Sequence, residues 1–356
     1  MIPTAWLALV ALVSAQTPDV ANLPEATVTI DAKAGEIIID VPAIPLPPHT
    51  GHHGAGGGGF PPVVKAVMPV GASLYGFRVE VLDDKGNALP STLIHHFNLI
   101  DPANRELFLP ISRRIMAVGQ ETGSQKLPKF FFGVPLAEGD ILVASAMLHN
   151  PTAVDYPMVT TRLILEYVPE GKLWPFWDGF PFQLDVAFPV GDKSFPLPPG
   201  ESSFSYEAKP GIAGKIVAIG GHLHDYGTRI ELTEVETGRV IWSTEPTLDK
   251  DGKVVGVPIG KLYGLFSIGA AIAPEYTYRV TAYYNNPTGQ TLSEGGMGVV
   301  GGLFVPAKGA VWPTARVTDA LYLSDAAHYL RLEKNKTAAA REGMESMSHV
   351  HPPTKD

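Results

Sequence analysis

The sequence predicts an all-β protein built as two tandem antiparallel β-sandwich domains, with a short helical tail at the C-terminal end. Three observations carry that expectation. A chain of 356 residues is longer than one hydrophobic core ordinarily organises and suits two domains. Its 37 glycines and 33 prolines break the chain too often for long helices. Between the breaks lie short runs that alternate apolar and polar residues, the period-2 pattern of half-buried strands.

In chain order, residues 1–15 form an apolar stretch too short to span a bilayer, and Val13, Ser14 and Ala15 offer a small-residue cleavage site. These features fit a secretory signal peptide, although no Lys or Arg charges its start. A secreted or periplasmic location follows, with no membrane association after the signal is removed, because no other segment is long and apolar enough to cross. Residues 16–175 are expected to form the first sandwich. Residues 26–31 and 36–41 read as strands, and the Pro- and Gly-rich stretch 45–62 reads as an irregular loop. Short alternating runs then continue to about residue 166. The aromatic and Pro-rich stretch 168–188 reads as the bridge between domains. The second sandwich spans residues 176–310, with strand-like runs at 215–220, 229–235, 239–242 and 278–284. Residues 311–356 form the tail: 318–345 turn to Ala, Leu, Lys, Arg and Glu, a helix-favouring mix, and the last residues look disordered.

Composition excludes some functions. The formal net charge is −9, which gives no electrostatic support for a nucleic-acid partner. There is no cysteine, so disulfides and thiolate metal sites are excluded. Any metal must be held by His, Met or carboxylates, a choice that suits an oxidising compartment.

The histidines are unevenly spread. His222 and His224 are separated by one residue, and on a strand such residues point to the same face. His95 and His96 are adjacent and would face opposite sides of a regular strand. To share an ion they need a bulge or a strand end. His149 follows a strand-like run and precedes Asn150 and Pro151, which end it. Met297 sits among glycines. Each feature has an ordinary reading: an adjacent His pair as a surface feature, His149 and Met297 as packing residues. Imidazole suits zinc, copper, iron and nickel, whereas a thioether selects for copper, above all Cu(I). Three histidines alone leave zinc open. Two histidines with a methionine, beside a three-histidine set, make copper the better choice.

The order His-His, His, His-x-His, Met resembles the copper type II, ascorbate-dependent monooxygenases, the peptidylglycine alpha-hydroxylating and dopamine beta-hydroxylating enzymes. The residues around His95 and His96 and the Tyr-Tyr-Asn-Asn-Pro-Thr stretch before Met297 are similar to that family's, over roughly residues 75–306. The chain is also similar to the plant stress-up-regulated nodulin family. The resemblance implies two jelly-roll-like domains with one copper each, two per chain. His95, His96 and His149 would hold an electron-storing copper. His222, His224 and Met297 would hold the catalytic copper that binds O2. Ascorbate or another one-electron reductant would be the co-substrate, and the product would be a hydroxylated organic or peptide substrate.

The chain departs from the family in lacking disulfides. It also carries Gly220 and Gly301 where the peptide-amidating enzymes place an Arg and a Tyr that anchor the substrate carboxylate. A different, bulkier or less charged substrate follows, or none. Asp225 and Tyr226 are candidates to orient a ligand from outside the ligand shell or to build a plain turn. His49, His52 and His53, and Met344, Met347, His349 and His351 in the tail, are candidates to recruit copper or are simple linker and tail residues. His328 reads as structural. Three readings remain: a monooxygenase, a non-catalytic copper-binding or copper-storage protein of the same fold, and a β-module whose histidines bind nothing.

Overall fold

The computed structural model describes residues 20–49, 59–119, 124–187, 191, 193–250, 253–264, 267–331 and the backbone of 349–350. The expected signal segment, His52, His53, Met344, Met347 and His351 lie outside them. Among the described residues no helix is long and apolar enough to cross a membrane.

The first half contains β1 (Thr27–Asp31), β2 (Glu36–Leu46), β3 (Val64–Val67), β4 (Ala72–Leu82), β5 (Ile94–Arg105), β6 (Ser112–Gly119), β7 (Gln125–Lys126), β8 (Phe132–Leu136), β9 (Ile141–Leu148), β10 (Tyr156–Pro169) and β11 (Trp177–Asp178). The second half contains β12 (Phe180–Asp185), β13 (Phe195–Leu197), β14 (Gly200–Ala208), β15 (Gly214–Leu223), β16 (Gly227–Glu234) and β17 (Arg239–Thr244). Five short strands follow: β18 (Thr247–Leu248), β19 (Val254–Gly256), β20 (Gly260–Lys261), β21 (Tyr263–Gly264) and β22 (Ser267–Ile268). The half closes with β23 (Ala270–Ile272), β24 (Tyr278–Asn286), β25 (Leu292–Gly296) and β26 (Gly298–Pro306). One α-helix, α1 (Ala320–Tyr329), and the short β27 (His349–Val350) follow, and short 3-10 turns lie at Val20–Asn22 and Ser91–Leu93. The fold class is thus all-β with a short C-terminal helix. β2 extends to Leu46, so Pro45, expected to begin a loop, lies within a strand.

The two halves repeat one topology. In the first, the order β2-β10-β4-β8 forms one sheet and β3-β9-β5-β6 the other. In the second, β12, β26 and β15 are adjacent in one sheet with β23 also on β15, and the other sheet contains β14-β24-β16-β17. Strand for strand in chain order these are the same arrangement, an eight-stranded double-sheet jelly roll occurring twice. Period-2 alternation explains each core: Ile37, Ile39 and Val41 on β2 are wholly buried, as are Leu163 and Leu165 on β10, and they meet Phe97, Leu99, Ala144 and Ala146 of the facing sheet. In the second roll Leu184, Ile216, Val300 and Phe304 meet Ile230, Leu232, Val280 and Ala282.

The rolls are joined by more than a linker. Leu107, Phe108, Leu109 and Ile111, from the connection between β5 and β6, are buried in the second core. The aromatic stretch expected to bridge the domains instead ends one roll and starts the next: β11 pairs parallel with β8, and β12 begins at Phe180. The tail folds back on the first roll. Asp319 caps α1 by accepting the N–H of Leu321 at 2.9 Å. Tyr322, Ala326 and Tyr329 pack with Ile100 and Val143, and Asp325 takes the guanidinium of Arg114.

At the junction the Glu106 carboxylate is fully buried. It accepts the backbone N–H groups of Leu107 at 3.1 Å, Gln183 at 3.0 Å and Arg114 at 3.4 Å. Burial pushes its pKa up, and the three donors only partly offset this. A raised folded value favours the proton on folding. Its stabilising contribution is therefore complete below the ordinary glutamate range, about 4.3, and is lost as pH rises through the folded value. Glu106→Gln is neutral at every pH and gives up only the longest of the three bonds. Its melting temperature relative to the parent protein should climb by roughly 2–4 °C or more as pH is raised from about 4 to about 8, spanning the carboxylate range. A difference that stays flat with pH would mean that Glu106 does not titrate in the folded protein.

Candidate metal centre

The first histidine group sits where β5 starts and β9 ends. Ile94 pairs with Leu148 and His96 with Met147, so His95 is the extra residue of a β-bulge. The burial pattern shows the same irregularity: Ile94 and Phe97 both face the core with two residues between them instead of one. The bulge brings the adjacent side chains together, and the rings of His95 and His96 lie 4.0 Å apart between centroids. His149 follows β9 directly. Its N–H donates to Leu93 O at 3.0 Å, and its ring is buried and meets that of His95 edge-on at 5.6 Å.

The second group sits where β15 ends and β26 begins. Leu223 lies opposite Gly298 and points into the core, so alternation puts His222 and His224 on the other face. Their rings are 5.3 Å apart and nearly perpendicular. The Nδ1 of His224 lies 3.3 Å from Glu294 O. A carbonyl can only accept, so Nδ1 carries the proton and Nε2 is left as the ligand-type nitrogen. The N–H of His224 donates to Met297 O at 3.1 Å, which makes Met297 its cross-strand neighbour. The Met297 peptide is held on its other side by Tyr284, whose hydroxyl donates to Met297 O at 2.6 Å and accepts Met297 N–H at 3.2 Å. Burial pushes the Tyr284 phenol well up, so it stays a donor. Asp185 shares a row with His222, both lying opposite Val299. It is buried and pairs with Lys193 at 3.0 Å.

Two imidazoles bound tetrahedrally to one ion at about 2.0 Å have ring centroids roughly 5.2 Å apart. The His222–His224 and His95–His149 separations fit this, and the His95–His96 pair is tighter. Among the described residues, no three His, Asp or Glu side chains are already closed around one point as an ion would need. The donor types fit copper: three imidazoles in one group, and two with a neighbouring thioether residue in the other.

The two rolls share scaffold but not ligands. Asn150 and Asn286 are both buried and make the same bonds. Asn150 Nδ2 donates to Leu46 O, Pro47 O and Val154 O, and Asn286 Nδ2 to Leu197 O, Pro198 O and Gln290 O. Each Oδ1 accepts from the N–H and hydroxyl of a threonine two residues on, Thr152 or Thr288. The sequence signal is a repeated Pro-Leu-Pro-Pro at 45–48 and 196–199 with a repeated Asn-Pro-Thr at 150–152 and 286–288. The bulge also recurs, with a register shift between Gly227 and Arg229. Asn285, whose N–H donates to Tyr226 O at 2.9 Å, occupies the place of His149. Thr228 and Arg229 occupy those of His95 and His96. The bulge therefore belongs to the roll, and only the first roll puts histidines on it.

The remaining candidates divide. Asp225 accepts the N–H of Val254 at 3.0 Å, and Tyr226 adopts a left-handed φ of 68°, so both build the turn into β16. Gly220 and Gly301 lie directly opposite each other across β15 and β26. An added Cβ at either would lie 3.3 Å from its nearest neighbour, the Ile259 side chain or Phe182 O. The face beside His222 thus offers a glycine floor edged by Ile259. His49 lies near the Asn150 turn, its N–H donating to Thr152 O at 3.0 Å. His328 is half-buried on α1.

No family model matches the sequence, and no curated protein is similar to it in sequence. Solved structures similar in part include the major capsid protein P2 of bacteriophage PM2, at 10% identity and a TM-score of 0.35 over 76% of this chain and 99% of that one. Another is that of infectious bursal disease virus, Gx strain, at 12% identity and a TM-score of 0.18 over 92% of this chain and 91% of that one. Likenesses this weak carry no argument, and the jelly-roll assignment rests on strand order alone. Fold and side chains together define a protein of two jelly rolls, each with a histidine group at a strand end.

Proposed function

We propose that this chain is an exported two-copper monooxygenase that hydroxylates an organic substrate at the expense of O2 and a one-electron reductant such as ascorbate. The observation that carries the reading is the second group: two imidazoles whose ring separation suits one shared ion, one of them with its tautomer set by Glu294 O and its backbone bonded to that of Met297. Copper, when bound, supplies one-electron redox chemistry with O2. The chain's own part is positioning. The Glu294 carbonyl holds the Nδ1 proton of His224 and keeps Nε2 outward. Tyr284 and the His224 N–H fix the peptide of Met297 from two sides. Gly220 and Gly301 put no anchoring side chain on the adjoining face, and Ile259 makes its edge apolar, so the part of the substrate that lies over the glycines is expected to be apolar.

The same missing anchor favours a second reading, a copper-binding or copper-storage protein without turnover. Metal analysis and oxygen uptake separate the two. The purified protein should take up about two copper ions per chain, one for each donor set. Uptake of zinc alone, or of no metal, would remove both readings. Two coppers without oxygen uptake under ascorbate, across a panel of uncharged organic substrates, would leave the storage reading in place of the enzyme.

A further inference from the structure

We propose that the outer face of the second roll, beside His222, takes a neutral ligand that sets a carboxamide end on Gln183 and an apolar end against Ile259. Gln183 on β12, Gly301 on β26 and Gly220 on β15 lie opposite one another in a single row. Ile259 closes that row: it precedes Gly260, which lies opposite Ile219, and its side chain borders Gly220. The row faces away from the second core, because Phe182, Leu184, Ile219 and Val300, the neighbours along the strands, are in that core. Packing explains the glycines on the other face. An added Cβ at Gly221 or Gly302 would run into the sheet itself, at Val299 O or Ala218 O. It does not explain Gly220 and Gly301, where only one atom each lies within 4 Å of an added Cβ. A glycine inside a strand with open space above it suits close approach of a ligand to the backbone.

The two ends of the row differ in chemistry. Gln183 is half-buried, and its backbone N–H donates to Glu106 at 3.0 Å. Its side-chain amide makes no hydrogen bond among the described residues. That amide offers a donor and an acceptor together, and a carboxamide matches both. Ions are poorly served at this end. Lys193 is paired with Asp185 at 3.0 Å in the next row, and Arg114 is paired with Asp325, so an anionic group meets no free cation. Glu106 is buried and already accepts three N–H groups, so an ammonium group meets no free carboxylate there. Ile259, at the other end, is 57% exposed and is an apolar wall that a ligand would cover. Three strand spacings of about 4.8 Å separate the two ends, room for a chain of about six carbons. One two-residue step of about 6.8 Å along the strands leads from the row to His222, and the next step leads to His224 and Met297. The ligand's C–H bonds therefore lie on the approach to the second histidine group. Only their oxidation there rests on the two-copper reading; binding in the row does not.

The test uses the full chain, copper-free and copper-loaded, in equilibrium dialysis against hexanamide, hexanoate and hexylamine. These probes share an apolar chain and differ in the end group. Hexanamide should bind both forms of the protein, and the two ions should bind about tenfold or more weakly. Gln183→Leu should weaken hexanamide by about 3–10-fold and leave copper uptake and melting temperature as in the parent protein, which the loss of a merely structural residue would not do. Gly220→Val raises the floor of the row and pushes only on the exposed Ile259 side chain; it should reduce hexanamide binding further, with a circular dichroism spectrum matching the parent protein. Failure of hexanamide to bind either form, equal binding of hexanoate or hexylamine, or unchanged binding by Gln183→Leu or Gly220→Val would overturn the proposal. Because binding is read without copper, a protein that takes up no copper but binds hexanamide loses the two-copper reading alone. One that takes up two coppers and does not bind hexanamide loses only this ligand assignment.

Discussion

Met297→Ile is expected to stop ascorbate-driven oxygen uptake while the first histidine group keeps its copper. The expectation follows from how Met297 is held. Its peptide is bonded on one side to the His224 N–H and on both its C=O and N–H to the Tyr284 hydroxyl. The backbone therefore stays in place when the side chain changes. Isoleucine has similar volume and hydrophobicity, so what is removed is the sulfur. Loss of groups one shell beyond a metal already costs about 10–100-fold in affinity or activity, so loss of the thioether itself should exceed about 100-fold in oxygen uptake. Bound copper should fall from about two to about one per chain when a Cu(I) chelator competes for the metal. His149→Ala is the complementary variant: it should empty the first group and leave His222 and His224 as they are. Unchanged oxygen uptake by Met297→Ile would show that the sulfur takes no part, and the case for oxygen chemistry at this group would fall.

Asn150→Ala should produce a large loss of stability. The side chain is fully buried. It shares its two amide hydrogens among Leu46 O at 3.3 Å, Pro47 O at 3.0 Å and Val154 O at 2.7 Å. It also accepts Thr152 N–H at 3.0 Å and the Thr152 hydroxyl at 2.8 Å. One residue thus ties the end of β2 to the turn between β9 and β10. Each buried group left without a partner costs about 1–3 kcal/mol. Some of these groups lie near solvent and will find water, so a net loss of about 3–5 kcal/mol is expected, measured by urea unfolding. Because His149 is the preceding residue, copper affinity at the first group should fall with it. Asn286→Ala should cost a similar amount through the equivalent bonds in the second roll while sparing the first group. A loss below about 1 kcal/mol at Asn150, within the range of a single ordinary hydrogen bond, would show that the clamp is not a cornerstone of the fold.

Both predictions rest on features only partly legible in the sequence. The pairing of His222 with His224 was readable, because two-residue alternation on a strand is local geometry. The need for a bulge at His95 was also readable, but not that the second roll carries the same bulge without histidines. Tyr284 could not be found, since nothing around a tyrosine says where its hydroxyl goes. Its partner at Met297 is set by how β24 and the connection from β25 to β26 lie together. Nothing in the sequence around Glu106 marks it as buried, and only the insertion of the connection between β5 and β6 into the second core buries it. The Asn-Pro-Thr clamp was visible as a repeated string, but its five bonds depend on the end of β2 lying alongside.

By itself the sequence determined the all-β class, the room for two cores, the exclusion of thiolate and disulfide chemistry, and the positions of the ligand-type side chains. These depend on composition and on the fixed period of an extended chain, which hold wherever the strand lies. The tertiary structure decided which of those side chains become neighbours. His224 and Glu294, 70 residues apart, meet because β15 pairs with β26 in one register and β25, which carries Glu294, leads directly into β26. A slip of one residue would turn His222 and His224 to the opposite face. Register is selected by the burial of whole sheet faces, a property of the packed molecule that no short stretch of chain contains.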